Sequence, residues 1–213
     1  MQIEIFYMDR DLLLCRKPVG VPSQSDGKTD MVSLLSAWLL AAGEKSEIFP
    51  VHRLDRETEG LMVYARTSAA AAALSAAIAE GRLQKEYLAV LCGTPTEPEG
   101  EMRDLLFYDR RRSKSYVVDR ERRGVREAVL RYRVIRTEGA YTLVWVRLLT
   151  GRTHQIRVQF ASRGLPLRGD RRYGAPKGEG ALALLACRLC FPHPTTGETM
   201  TFTCEEEDLF GVK

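Results

Sequence analysis

Apolar positions along this chain follow two rhythms, the alternation or short solid runs of strands and the three-to-four-residue spacing of helices. Residues 3–7 and 11–15 carry two short strand patterns joined at Met8-Asp9-Arg10. Residues 17–22, Lys-Pro-Val-Gly-Val-Pro, interrupt them and predict a shaped loop. Asp30 ahead of the run 31–40 and Gly43 behind it predict an N-capped helix ended by glycine. The solid run 61–66 reads as a buried strand. Thr67 or Ser68 then caps an alanine-rich helix to about Glu80, ended by Gly81, whose small residues suit close packing on a sheet.

Residues 84–91 alternate as a strand with Lys85, Tyr87 and Ala89 on one face. Pro95, Pro98 and Gly100 predict a turn-rich connection, and residues 114–119 and 126–136 predict a hairpin around Gly124. Residues 141–149 are rich in aromatic and branched side chains and form the clearest strand. A strand–turn–helix follows over 149–164: Gly151 supplies the turn, Thr153 a cap, Ile156, Phe160 and Ala161 an apolar stripe, and Gly164 the end. Arg157 falls in the first turns of that helix, where a cation is disfavoured, so a partner anion is expected beside it. Residues 181–191 and 199–204 read as a last strand pair around 192–197, before an acidic end at 205–208. Many strands, three or four helices and no flexible linker make an α+β domain.

With 213 residues, 45% hydrophobic and 28% charged, the composition is that of an ordinary globular protein. No apolar run approaches the 18 or more residues of a membrane span, and the first four residues lack the basic start and apolar middle of a signal peptide. A cytoplasmic protein with no membrane partner is the expectation. Cys15, Cys92, Cys187, Cys190 and Cys204 are odd in number and scattered, which suits reduced packing residues. Cys187-x-x-Cys190-x-x-His193 has the look of a metal motif, but strand residues three apart face opposite ways and no fourth ligand has suitable spacing, so no metal site is expected.

The net charge of +4 is unevenly spread. Between Arg110 and Arg136 eleven Lys/Arg stand against three acids, the footprint of a polyanion partner, although a solvated ribbon of strands with outward arginines has the same composition. Residues 50–60, Pro-Val-His-Arg-Leu-Asp-Arg-Glu-Thr-Glu-Gly, combine charge with an anchor. In extended backbone Arg53 and Asp55 look one way and Leu54 the other, so a carboxylate is held up to a substrate over a buried leucine. A surface turn with ion pairs fits that stretch equally well.

Four stretches together resemble the RluA-like family of RNA pseudouridine synthases. They are His52-Arg53-Leu54-Asp55-x-x-Thr58-x-Gly60-Leu61, Lys85-x-Tyr87-x-Ala89, Gly151-Arg152-Thr153-His154-Gln155-Ile156-Arg157, and Gly169-Asp170 with Tyr173-Gly174. Lys17-Pro18-x-Gly20 and Phe191-x-His193-Pro194 extend the likeness toward both ends, in the family's order. The resemblance implies an α+β pseudouridine synthase fold, a mixed, largely antiparallel bisected sheet with flanking helices and a central active-site cleft. It also implies one catalytic domain over 1–213, with no room before the first strand for the small N-terminal RNA-binding domain of some relatives.

The implied activity is isomerisation of a uridine in structured ribosomal or transfer RNA to pseudouridine, without metal or organic cofactor, by a protein expected to be a monomer. By resemblance Asp55 is the nucleophile, Tyr87 lies against the target base, Arg157 pairs with the catalytic carboxylate and Arg53 enters the stack the base has left. His52, Thr58, Arg152 and His154 are supporting residues, and Asp170 is expected to fix the turn before Tyr173. Arg110, Arg111, Arg112 and Lys114, in the basic segment, are the expected RNA contacts. Glu59, Gln159 and Leu185 depart from the serine, histidine and histidine common in the family, which bears on substrate choice. A non-catalytic RNA-binding module that kept the fold is the second reading. A glycoside or nucleoside hydrolase is weaker, since it would want two opposed carboxylates and the motifs offer one.

Overall fold

Short polar turns fix where each element begins. The computed structural model describes residues 3–24 and 29–204. Asp9 Oδ1 accepts the backbone N–H groups of Asp11 and Leu12, reversing the chain between β1 (Ile5–Met8) and β2 (Leu12–Lys17), which pair antiparallel. Strand β2 runs on to Lys17, past the predicted end at residue 15. Asp30 accepts the Ser33 amide at 2.8 Å and caps α1 (Met31–Ala41), which buries Met31, Leu35 and Leu39 at the i, i+4, i+8 spacing. Thr67, the first of the two predicted caps, accepts the Ala70 amide at the head of α2 (Ser68–Ala79).

The remaining elements are β3 (Phe49–Pro50), β4 (Glu59–Ala65), β5 (Gln84–Cys92), β6 (Glu99–Asp109), β7 (Lys114–Val118), β8 (Val125–Glu138), β9 (Tyr141–Leu148), α3 (Gln155–Ala161), a 3-10 turn at Arg171–Tyr173, β10 (Leu184–Pro192) and β11 (Thr199–Thr203). The chain forms two compact units. One comprises the residues through Lys85 with the segment from Ala186, and its strands run in the order β1-β2-β4-β10, with β3 beside β4 and β11 beside β10. Its core is the solid apolar stretches Leu12–Cys15 of β2 and Leu61–Ala65 of β4, fully buried, with α2 against β4. Gly60 opens β4 at φ +125°, and a Cβ there would run into the Ala186 backbone, so only glycine lets these chains approach.

The second unit comprises residues 86–185, with strands in the order β5-β9-β8-β6-β7. The predicted hairpin of 114–119 with 126–136 does not form. Strand β6 lies between them, paired antiparallel to β7 on one side and to β8 on the other. It was hidden in the predicted turn-rich connection because Glu99-Gly-Glu-Met-Arg-Asp-Leu-Leu is half charged. Several of those charges are paired: Arg103 with Glu101 along β6 and with Glu127 across to β8, and Glu101 with Arg131 of β8.

Three α-helices among the described residues, with antiparallel pairing in every ladder named here, give the predicted α+β class. Among the described residues no helix is long and apolar enough to cross a membrane. The acidic end at 205–208 lies outside the described residues.

Candidate active site

The first unit presents Asp55 from a loop fastened at several points. Lys17, fully buried, donates from Nζ to the carbonyls of Pro18, Val21 and Arg56 at 2.8, 2.7 and 3.1 Å. Gly20 N–H donates to the Arg56 carbonyl and Arg56 Nε to the Gly20 carbonyl, both at 2.8 Å. The loop 17–22 is therefore laced to the residue that follows Asp55. Burial pushes the Lys17 amine down to about 8, against the attraction of Asp55, Glu57 and Glu59.

On the other side of Asp55, the buried Ser23 hydroxyl accepts the Leu54 N–H at 2.9 Å and donates to the Leu54 carbonyl at 2.8 Å. Thr58 N–H closes a turn on the Asp55 carbonyl, and Thr58 is buried. Arg53 is exposed, Leu54 buried and Asp55 half-buried, as the predicted alternation requires. His52 Nε2 accepts the Val63 amide of β4 at 3.1 Å, which puts the ring proton on Nδ1, a buried atom with no hydrogen-bond partner among the described residues. Burial, helped by the charge of Lys85, holds His52 down to about 3, so it is a neutral pin between the loop and β4.

The second unit carries Tyr87, buried on β5, and Arg157 on α3. Helix α3 is buried on every side over Gln155–Phe160, beyond the single predicted stripe. Thr153 does not cap it. His154 is the residue at the N-cap, in left-handed conformation at φ 56° and without a side-chain cap bond. Gln155 fastens the turn: its Oε1 accepts Thr150 Oγ1–H at 2.8 Å and the Arg152 amide at 2.9 Å, and its Nε2 donates to the Val129 carbonyl at 3.1 Å. Arg152 reaches away to donate to the Glu127 carbonyl at 2.8 Å, a supporting contact with β8.

The anion expected beside Arg157 is Asp170. Arg157 Nε and Nη2 donate to its two carboxylate oxygens at 2.7 and 2.9 Å, both residues being at most 3% exposed. The Asp170 backbone makes the expected turn, accepting the Tyr173 and Ala175 amides, while its side chain orients the arginine. Gly169 ahead of it stands at φ +77°, and a Cβ there would meet the Ala181 carbonyl, which explains glycine before this aspartate. The Tyr173 ring lies under the Arg157 guanidinium, 5.3 Å from centroid to carbon. Its hydroxyl accepts the Ser115 amide at 2.8 Å and shares a hydrogen bond with His154 Nδ1 at 2.9 Å. Burial pushes that hydroxyl up to about 12, so it stays protonated.

Arg110, Arg111 and Arg112 are exposed in the turn between β6 and β7, where Asp109 Oδ1 accepts the amides of Arg111 and Arg112. The guanidinium groups of Arg110 and Arg111 have no acidic partner among the described residues, and Arg112 has only Asp109 at 3.8 Å. Lys114 opens β7 with its ammonium 5.0 Å from the Tyr173 ring centroid and 5.7 Å from that of Tyr116. On the strands, by contrast, Arg131 and Arg136 are ion-paired to Glu101 and Glu138. The basic segment thus contains a cationic turn at 110–112 and, on β8, two arginines held in ion pairs, while Arg122 and Arg133 lie over the rings of Phe107 and Trp145.

The departures from the family pattern differ in how their polar atoms are paired. Glu59 accepts Arg16 Nε at 2.8 Å, so its charge is paired. Gln159 donates to Asp104 Oδ2 at 2.7 Å, while its Oε1 is buried without a partner among the described residues. Leu185 is buried. His193 Nδ1 accepts the Thr195 and Thr196 amides at 3.2 Å, leaving Nε2–H to donate to Asp9 Oδ2 at 2.8 Å. Its two nitrogens thus lock a turn to β1's end instead of facing Cys187 and Cys190, and among the described residues no His, Cys, Asp and Glu group is arranged to hold a metal.

Comparison with known proteins gives the family. The family model for RNA pseudouridylate synthase matches residues 11–162. An RNA pseudouridine synthase of Aquifex aeolicus is 37% identical over 98% of this chain and 71% of its own length. A ribosomal large subunit pseudouridine synthase D of Zymomonas mobilis is 35% identical over 95% of this chain and 69% of its own. The solved human RNA pseudouridylate synthase domain containing 4 superposes at TM-score 0.80 with 23% identity, over 95% of this chain and 88% of that one, a likeness of fold. With 152 contiguous residues under the family model and relatives of this kind matching nearly its whole length, this chain belongs to the RNA pseudouridine synthases of the RluA-like family.

Proposed function

We propose that the enzyme converts uridine in structured ribosomal or transfer RNA to pseudouridine, with Asp55 as the nucleophilic carboxylate. Ribosomal RNA is favoured, since relatives at 34–35% identity are named as synthases of the large ribosomal subunit. The glycosidic bond from ribose C1′ to N1 breaks, the uracil turns while held, C1′ joins C5, and the C5 proton leaves as N1 gains one. A carboxylate serves either by attacking C1′ or by taking the C2′ proton.

In this reading Tyr87 lies against the uracil and Arg157 pairs with the catalytic carboxylate, its guanidinium aimed by Asp170. The target base must leave its stack, at a cost of about a few kcal/mol, and the exposed Arg53 offsets part of that by filling the space. Arg110, Arg111, Arg112 and Lys114 bind the phosphate backbone. The protein acts as a monomer in the cytoplasm.

The observation that carries the proposal is the lacing of the Asp55 loop, with the buried Lys17 on one side and Ser23 on the other. A surface turn has no need of a desolvated lysine, whereas a reacting carboxylate must be held still. The test is tritium release from RNA transcripts labelled at uridine C5, since bond formation at C5 expels that hydrogen. Release by the wild-type protein and none by Asp55→Asn, with RNA affinity kept within about tenfold, is the expected result. Comparable release by both overturns the role of Asp55.

A further inference from the structure

The cationic turn and Arg157 are joined through one side chain. Tyr173 OH accepts the amide of Ser115, two residues past the turn, and its ring centroid lies 5.0 Å from the Lys114 ammonium and 5.3 Å from the Arg157 guanidinium. Ser115 Oγ donates to the Thr153 carbonyl at 2.6 Å, next to His154, whose Nδ1 shares the Tyr173 hydroxyl. Arg172, the neighbour of Tyr173, donates to the turn's own carbonyls at Arg112 and Ser113, at 3.3 and 2.6 Å. Tyr173 N–H in turn binds the carbonyl of Asp170, the residue that grips Arg157. The Tyr173–Ser115 and Arg157–Asp170 hydrogen bonds are buried, while those from Arg172 to the turn lie at the surface, so a displacement of the turn is passed through Ser115 to the ring against which the guanidinium rests.

We propose that Tyr173 is a positioning residue that couples the turn at 110–113 to the orientation of Arg157, so that RNA seated on the turn sets the arginine. The inference rests on the reading of Arg157 as part of the reacting centre. His154 supports it: a non-glycine residue held at φ 56° carries backbone strain that the surrounding bonds must sustain. An aromatic ring that contacts two cations also responds to changes at either one, because each is attracted to its π-electrons.

The test uses the whole protein in four forms: wild type, Tyr173→Phe, a variant with residues 110–113 replaced by Asn-Gly, and the combination. Asn-Gly is the standard two-residue hairpin turn and suits the Asp109–Lys114 register, so it removes the arginines and the acceptors of Arg172 without breaking the ladder. Saturated single-turnover rates and RNA affinities are measured with C5-tritiated total RNA from cells lacking the protein. In parallel, the Nε–H resonance of Arg157, assigned by its loss in Arg157→Lys, is followed without RNA. Tyr173→Phe is expected to slow the saturated rate about tenfold or more with affinity within twofold. Turn replacement is expected to slow that rate in wild type and little further in Tyr173→Phe, and to shift the Arg157 resonance only where Tyr173 is present. Independent, multiplying rate effects, or an Arg157 resonance unmoved by turn replacement, overturn the coupling. Absence of tritium release from the wild type would fault the isomerase reading on this RNA, and the resonance would then decide the coupling alone.

Discussion

Arg157 and Asp170 form a two-pronged ion pair in the interior, Nε to Oδ2 at 2.7 Å and Nη2 to Oδ1 at 2.9 Å. A buried pair of this geometry costs desolvation to form, and its removal on one side is worse, because the remaining charge stays in low dielectric. Its value lies in direction: a planar guanidinium gripped along one edge presents its other nitrogen along a fixed line. Asp170→Ala is expected to destabilise the protein by about 3 kcal/mol and to lower the saturated rate, with Asp170→Asn intermediate. Urea midpoints and single-turnover rates check this, and an Asp170→Ala protein of wild-type stability and rate would contradict it.

Lys17 offers a second handle on the Asp55 loop. Lys17→Met fills similar space but leaves the carbonyls of Pro18, Val21 and Arg56 without their donor. The expected result is a loss of about 1–3 kcal/mol of stability and a fall in the saturated rate larger than any change in RNA affinity. An affinity loss with an unchanged rate would mean that the lysine does not hold the reacting loop.

Much of this was legible in the sequence, and the failures share a cause. Caps and stops lie within a few residues of what they terminate, so the capping aspartate of α1 is legible and the cap of α2 narrows to Thr67 or Ser68, of which Thr67 makes the bond. The grip of Ser23 on Leu54 spans 31 residues and leaves no local signal. Asp170 was read as a turn former because its backbone is one, while its side chain acts 13 residues away. Strand β6 was missed because its charges find partners on another strand, where sequence proximity is uninformative. His154 in place of Thr153 at the N-cap follows from Gln155, whose amide already ties the turn.

The turn at 110–113 makes a distinct prediction about salt. Charge reversal at Arg110, Arg111 and Arg112 together should weaken RNA binding and flatten the slope of log affinity against log salt by about 2–3, as each lost phosphate contact removes a released counterion. Filter binding across a salt series gives the slope. An unchanged slope would reject this surface as the RNA contact.

His52 makes acid a specific stress. Its folded-state value, near 3, lies below the ordinary 6.5, so between these values the unfolded chain holds a proton that the folded chain does not. Stability is lost as pH falls below 6.5, by up to about 1.4 kcal/mol per pH unit from this group. His52→Gln, which keeps an acceptor for the Val63 amide, should flatten the dependence of the urea midpoint on pH between 6.5 and 4.5. Parallel curves for the two proteins would show that His52 does not carry the effect.

The most direct test of the central claim is pseudouridine mapping of total cellular RNA from a strain lacking this protein, complemented with wild type or with Asp55→Asn. A site that disappears in the deletion and returns only with wild type is the expected result, and it would identify the RNA and the uridine together. A site restored equally by Asp55→Asn would contradict the assignment of Asp55 as the reacting carboxylate.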